Sequence, residues 1–465
     1  MGSLTPFHSR KARRLPGFLL CALLFLPLLA SAAKPPNVIL IVADDLGFGD
    51  LGVFGATRIN TPHLDAIAGR GAALTGFYAA ANICSPSRAA ILTGRYPIRS
   101  GLGWDVVTAA DQHGLPLAEV TIAEMLKDRG YATGMVGKWH LGNRLEFWPT
   151  RQGFDSFYGV PHSNDMPDFA LYRQETVIEQ PVEQTTLTAR YTEQAVSFIR
   201  ENEQGPFFLY LAHTFPHIPL YASDAFRGKS NAGEYGDAVE EIDWSTGQIV
   251  NTLRQLDLLD NTLIMFTSDN GAWWEGSNGS FRGAKGSTWD GGYRVGLIAA
   301  LPGRIQAGLS SDALSANIDL LPTIAAATGT ALPDELALDG KNLLPLMSGD
   351  EDRSPHKYFY YFNNEELAGI RDNRWKLLTR AYYRRHLGAM DLFEKLPGFD
   401  QPYWLLFDMN DPEPERYSMA RNHPELVERL SKEMVRAEAE FRRTATNDRQ
   451  ETYPRRTDTG KQKQK

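Results

Sequence analysis

Residues 37–47 read Asn37-Val38-Ile39-Leu40-Ile41-Val42-Ala43-Asp44-Asp45-Leu46-Gly47. The run up to Ala43 is apolar and rich in β-branched residues, the pattern of a strand buried on both faces, and it stops abruptly at two carboxylates. Similar runs recur at 131–136, 206–212 and 262–267, with helical patterns between them at 121–129 and 237–259. Strands alternating with helices predict an α/β domain: a large, mostly parallel sheet flanked by helices. In such sheets ligands bind beyond the carboxyl ends of the strands. Polar or ionisable residues follow each run: Asp44-Asp45, then Lys138-Trp139-His140, then His213, then Ser268-Asp269-Asn270. Four strand ends therefore predict one polar edge.

The ends of the chain read differently. Arg10, Lys11, Arg13 and Arg14 precede the apolar stretch 15–30, and Ala30-Ser31-Ala32 offers small residues for cleavage. That is the layout of a secretory signal over residues 1–33, too short and too proline-interrupted for a stable membrane anchor. The expected location is exported, either periplasmic or secreted. Loss of the four basic residues takes the net charge from −8 to −12, a balance with no general attraction for nucleic acid. We read 34–350 as the catalytic α/β domain. Residues 351–445 read as a smaller domain, with short strands at 357–362 and 375–379 forming an antiparallel sheet and a helix at 424–443. Residues 446–465 are polar and charged, and are read as a disordered tail.

The chain has two cysteines, and one of them, Cys21, lies in the signal. An exported protein left with a single thiol, Cys84, invites explanation. Cys84-Ser85-Pro86-Ser87-Arg88 leads into Ala89-Ala90-Ile91-Leu92-Thr93-Gly94-Arg95. Pro86 suits the first turn of a helix. Cys84 is then expected at a helix N-terminus, which favours an anion, with Arg88 on the same face. A plain catalytic cysteine fits that position equally well.

The run Cys84–Arg95, with its Cys-x-Pro-Ser-Arg and Thr-Gly-Arg elements, resembles the signature of the type I sulfatases, the arylsulfatase family, and the similarity extends over about 37–302. The resemblance implies an alkaline-phosphatase-like fold and one calcium ion. It also implies Cys84 converted by a formylglycine-generating maturation enzyme to formylglycine, whose aldehyde hydrate attacks sulfur. Asp44, Asp45, Asp269 and Asn270 match the family's calcium ligands, with the converted Cys84 completing the shell. By themselves Asp44-Asp45-Leu46-Gly47 and Asp269-Asn270-Gly271 also read as ordinary strand exits and turns, although hard oxygen donors are what calcium requires.

In the same pattern Arg88 holds the formylglycine hydroxyl and a sulfuryl oxygen, and Lys138 binds sulfate. His140 takes the proton whose loss expels sulfate, a task suited to imidazole. His213 matches the histidine beside the leaving-group oxygen, assisted by Lys285, while His217 shapes the substrate pocket. Without the family, Lys285 in Phe281-Arg282-Gly283-Ala284-Lys285-Gly286 reads as a solvated loop lysine. Trp273, Trp274 and Trp289 fit either a pocket or a core. Asn278-Gly279-Ser280 is a glycosylation sequon too close to the proposed site for easy use.

The expected activity is hydrolysis of a sulfate ester on a sulfated small molecule or glycan. The layout is nearest the branch of arylsulfatase A and the galactosamine-6-sulfatases, which implies an exo-acting enzyme. The alternatives are a phosphonate monoester or phosphodiester hydrolase using the same site, and a non-catalytic binder of sulfated glycans.

Overall fold

The computed structural model describes residues 1–4, 34–333, 337–379 and 404–445. The signal read at 1–33 (residues 1–4 apart) and the tail read at 446–465 lie outside the described residues. Met1–Lys34 is a unit separate from Pro35–Lys465, and the architecture below is that of the second unit.

The first of its strands is β1 (Asn37–Ala43), with every residue buried. Val38, Leu40 and Val42 enter one hydrophobic cluster, and Ile39, Ile41 and Ala43 enter another. A strand feeding cores on both faces needs apolar residues at odd and even positions alike, which explains the unbroken run. Nine further strands complete the sheet: β2 (Ala72–Leu74), β4 (Ala132–Lys138), β5 (Ser156–Val160), β6 (Leu171–Arg173), β7 (Thr176–Glu179), β8 (Phe207–Ala212), β9 (Thr262–Ser268), β10 (Leu297–Ala300) and β11 (Leu309–Ser311). Between β2 and β4 lies the short strand β3 (Phe77–Tyr78), which pairs in parallel with β12 (Ser315–Ala316).

The sheet order is β11-β2-β10-β9-β1-β8-β4-β5-β6-β7. Its centre, β9-β1-β8-β4-β5, is parallel throughout. Antiparallel pairs flank it, β10 on β9 at one side and β6 and β7 beyond β5 at the other. The sheet is thus mixed: its centre carries the parallel pattern read from the sequence, and the edge pair β11–β2 is parallel as well. The flanking strands escaped notice because they are short and lack long apolar runs. Among the helices, Gly233–Gln255 and Leu187–Glu201 bury their apolar faces with Ile39 and Ile41, while Leu320–Thr328 joins the opposite core. The helix expected at 121–129 is Ile122–Lys127, started by a capping box in which Thr121 and Glu124 bond reciprocally.

The smaller part contains the antiparallel sheet β13 (Phe359–Asn363), β14 (Glu366–Arg371), β15 (Trp375–Leu378) and β16 (Leu405–Asp408), joined by the helix Pro424–Arg443. The sequence had indicated only two of those strands. Its aromatic core is shared with the first part: Phe359, Tyr361 and Phe441 cluster with Tyr78, Tyr96 and Tyr293. No helix among the described residues is long and apolar enough to cross a membrane.

Close strand approach constrains Gly137, which has φ +108° immediately before Lys138. A Cβ there would lie 1.8 Å from the Ala212 carbonyl oxygen. Gly137→Ala should therefore lower unfolding free energy by about 2–4 kcal/mol, read by urea denaturation, because backbone must move. An unchanged midpoint would contradict this packing.

Candidate active site

The central strand order fixes which side chains meet. β9 lies beside β1 with Ala43 opposite Ser268, so the two acidic exits emerge side by side. The Asp269 amide donates to the Ala43 carbonyl at 3.1 Å, and the Asp45 amide donates to Asp269 Oδ1 at 3.2 Å. On the other side of β1, β8 leads into His213 and His217, and the next strand, β4, ends at Lys138. Asp45 and His140 both occupy left-handed backbone, at φ 62° and 61°. Non-glycine residues held this way cost energy and cluster at functional sites.

The helix Cys84–Thr93 begins at Cys84 itself and is buried over its whole length. Cys84 Sγ lies 3.5 Å from Asp44 Oδ1 and 3.9 Å from Asp45 Oδ1. Donor atoms of Asp44, Asp45, Cys84 and Asp269 all fall within 4.8 Å of one another, the one such group among the described residues. One turn on, Ser87 donates to the Asp269 carbonyl and accepts from Asn317. Arg88 Nε donates to Asp269 Oδ2 at 2.9 Å, and Nη1 donates to the Lys138 carbonyl at 2.8 Å. Arg88 Nη2 also lies 2.9 Å from Asp269 Oδ2, yet it is not aligned for a hydrogen bond. Its protons can serve another acceptor.

Lys138 pairs with Asp44 and donates to Ser163 Oγ at 3.2 Å. Lys285 donates to Asp45 Oδ2 at 2.7 Å. It is not a solvated loop lysine: its loop is tied down by Lys285 N to the Ala272 carbonyl and Gly286 N to the Asn82 carbonyl. Asn278 bridges the same region, its side-chain amide bonded to Ala272 and Gly283, so the sequon asparagine is a structural clamp.

A metal fits this cluster. Asn270 Nδ2 donates to Asp45 Oδ1 at 2.7 Å, while its Oδ1 is buried without a partner. An orphaned amide oxygen beside three carboxylates is the donor set a hard cation takes.

The electrostatics sort the roles. Burial raises the Cys84 thiol far above its usual value, and Lys138 and Lys285 only partly offset it. The helix N-terminus does not make a thiolate here, so ordinary cysteine nucleophilicity is not what this site provides. Burial opposes charge on Lys285, but Asp45 more than compensates and keeps it protonated. His140 is pushed well below the usual imidazole value by burial and then by Lys138 and Arg88. Burial, and next Lys285, push His217 the same way. Both rings are therefore neutral at neutral pH and able to accept protons.

The two histidines after β8 stand in different surroundings. Neither ring nitrogen of His213 has a hydrogen-bond partner, and burial alone, with no charged neighbour, takes it down to about 3. His217 instead points Nε2 to within 3.7 Å of Asp45 Oδ2 and 3.5 Å of Ser163 Oγ. The histidine gathered with Asp45 and Lys285 is His217. Strand-exit position favoured His213, but the chain needs the turn through Phe215-Pro216 to bring an imidazole back over the edge. Ser163 joins the site too, its hydroxyl between Lys138 and His217. It lies just past the end of β5, and the strand-exit rule applied to Ser156–Val160 would have found it.

The sequence model of the sulfatase family matches residues 36–330, and that of the N-sulphoglucosamine sulphohydrolase C-terminal region matches 284–440. The chain belongs to the sulfatase family. This sulfatase is 36% identical to Homo sapiens steryl-sulfatase over 432 residues, covering 73% of this chain and 74% of that one. It is 42% identical to Sus scrofa N-acetylgalactosamine-6-sulfatase over 369 residues, covering 72% and 70%. Its fold superposes on the crystal structure of the PsFucS1 sulfatase from Pseudoalteromonas sp. with TM-score 0.78, at 27% identity and over 89% and 92% of the two chains. The sulfatase hydrolyses a sulfuric ester, and family membership implies a formylglycine and a metal ion.

In unconverted protein the buried thiol should resist alkylation. At pH 8, iodoacetamide should label native Cys84 about 100-fold more slowly than in urea-unfolded chain. Equal rates, read by mass spectrometry, would contradict this burial.

Proposed function

We propose that this sulfatase acts through Cys84 converted to formylglycine beside one calcium ion, on a small sulfated sugar attacked at a chain end. The observation carrying the reading is the gathering of Cys84 with Asp44, Asp45 and Asp269 within 4.8 Å. Three carboxylates and the unpartnered Asn270 amide oxygen form the hard, oxygen-rich donor set that calcium takes. Asp44, Asp45, Asp269 and Asn270 would hold the ion together with the converted residue. When bound, the converted side chain supplies the attacking hydroxyl and the cation supplies positive charge at the oxygens.

The remaining residues divide the proton and charge work. Arg88 Nη2 and Lys138 Nζ hold negative oxygens of the ester. Lys285, which Asp45 keeps protonated, gives a proton to the departing alcohol oxygen, with His217 beside it. His140, whose ring nitrogens are both unpartnered, takes the proton from the hydroxyl remaining at position 84, and sulfate leaves. Formal charge supports a monoanionic ester. Arg88, Lys138 and Lys285 balance the three carboxylates, so a divalent cation leaves two positive charges for one ionised hydroxyl and one sulfate ester. Residues 1–33 direct export, and a formylglycine-generating enzyme matures the chain.

Co-expression with that enzyme should lower the intact mass by roughly 18 units, the difference between CH2–SH and an aldehyde. Cys84→Ala should reduce activity on sulfated monosaccharides to background, and full activity in that variant would end the reading. His217→Ala should cost roughly 100-fold in kcat, whereas His213→Ala should act mainly on stability. The reverse ranking would return the leaving-group role to His213. Removal of the ion with chelator should lower Tm by several degrees, with calcium restoring it better than magnesium. Relative rates on the sulfate and phosphonate esters of one phenol test the choice of ester.

A further inference from the structure

The loop carrying Lys285 is anchored at both ends by groups from the C-terminal part of the chain. At its start, Arg282 Nη1 donates to the Glu415 carbonyl at 3.0 Å, with the guanidinium stacked 3.8 Å from the Trp289 ring centroid. At its end, Lys376 Nζ donates to the Thr288 carbonyl at 3.0 Å, to Asp290 Oδ1 at 2.8 Å and to Glu415 Oε1 at 2.5 Å. The Asp290 amide donates to Glu415 Oε2 at 2.9 Å. Asp290 also accepts from Tyr78 at 2.6 Å and from Tyr361 at 2.9 Å. Lys376, Asp290 and Glu415 side chains are fully or almost fully buried.

Lys376, Asp290 and Glu415 belong to none of the hydrophobic clusters, and burying three charges is costly unless each is paired. A buried ionic knot is weak evidence for stability but strong at fixing register. What it fixes is specific. Between the two anchors lie Lys285, Gly286 and Ser287, with Asn82 bonded to both Gly286 and Ser287. Asn82 stands two residues before Cys84. The anchors thus hold the lysine ammonium at a set distance from position 84.

We propose that Lys376 and Glu415 are positioning residues for Lys285: the C-terminal sheet sets where the cation beside the leaving group sits. This rests on the leaving-group role of Lys285 proposed above, and it makes that role depend on a part of the chain that supplies no residue to the cluster itself.

The test compares Glu415→Gln and Arg282→Ala with Lys285→Ala in the matured, metal-loaded enzyme. Gln keeps the volume of Glu415 but can no longer accept at both oxygens, and Arg282 is exposed, so its loss does not threaten folding. Kinetics are read on two aryl sulfates differing in leaving-group pKa, 4-nitrophenyl and a phenol without electron-withdrawing groups. Glu415→Gln should lose about tenfold in kcat on the poorer leaving group and less than twofold on 4-nitrophenyl sulfate, following Lys285→Ala; Arg282→Ala should show the same trend at about threefold. Equal losses on both substrates, or none, while Lys285→Ala shows the trend would overturn the positioning role. A second readout is independent of the chemistry. Amide exchange over 283–288 should speed at least about tenfold in Glu415→Gln, with β1 and β9 unchanged. Unaltered exchange there overturns the tether outright. Faster exchange with no leaving-group trend even in Lys285→Ala would leave the tether standing and refute the role given to Lys285.

Discussion

Three carboxylates, Asp44, Asp45 and Asp269, are buried around one point, and the surrounding structure is organised by the need to make that tolerable. Like charges out of water repel strongly and cannot be screened by solvent. Each is met by a cation delivered from a different direction: Lys138 from the end of β4, Arg88 from the first turns of the Cys84–Thr93 helix, and Lys285 from the loop beyond β9. Remove the carboxylates and those cations would themselves be orphaned. Acidic and basic groups therefore hold one another in place, and they do so where Cys84 enters.

The rigidity needed for this comes from the parallel centre of the sheet. Adjacent strands in fixed register place Asp44 and Asp45 beside Asp269, while buried residues on both faces leave no room for slippage. The strained backbone of Asp45 and His140 is tolerated because packed strands over-determine it. Loops alone do not reach such accuracy, and the one loop that contributes a charge, that of Lys285, is fastened at several points.

The two histidines after β8 show how chemistry is distributed by shape rather than by sequence distance. His213 leaves the strand directly and is buried without charged company; His217 leaves it after a turn and meets Asp45, Ser163 and the field of Lys285. A ring's usefulness for proton transfer depends on what stands opposite it. Relatives that include a steryl-sulfatase and an N-acetylgalactosamine-6-sulfatase share the family with this chain.

The sequence by itself determined the parallel core, the polar strand exits and the Cys84–Arg95 segment on which the family resemblance rests. Each is a local fact: β-branched runs bury on two faces, carboxylates end them, and Cys84 to Arg95 is contiguous. It also placed Asp44-Asp45 and Asp269-Asn270 at the ends of legible strands, and the family resemblance made them the expected ligand set. Only the tertiary structure decided that His217 rather than His213 joins the cluster, that Ser163 stands between Lys138 and His217, that burial suppresses the Cys84 thiolate, and that β14 and β16 complete a second sheet reaching the Lys285 loop. Those outcomes depend on contacts between residues far apart along the chain and on how much water each group loses, and neither quantity is written in the spacing of residues.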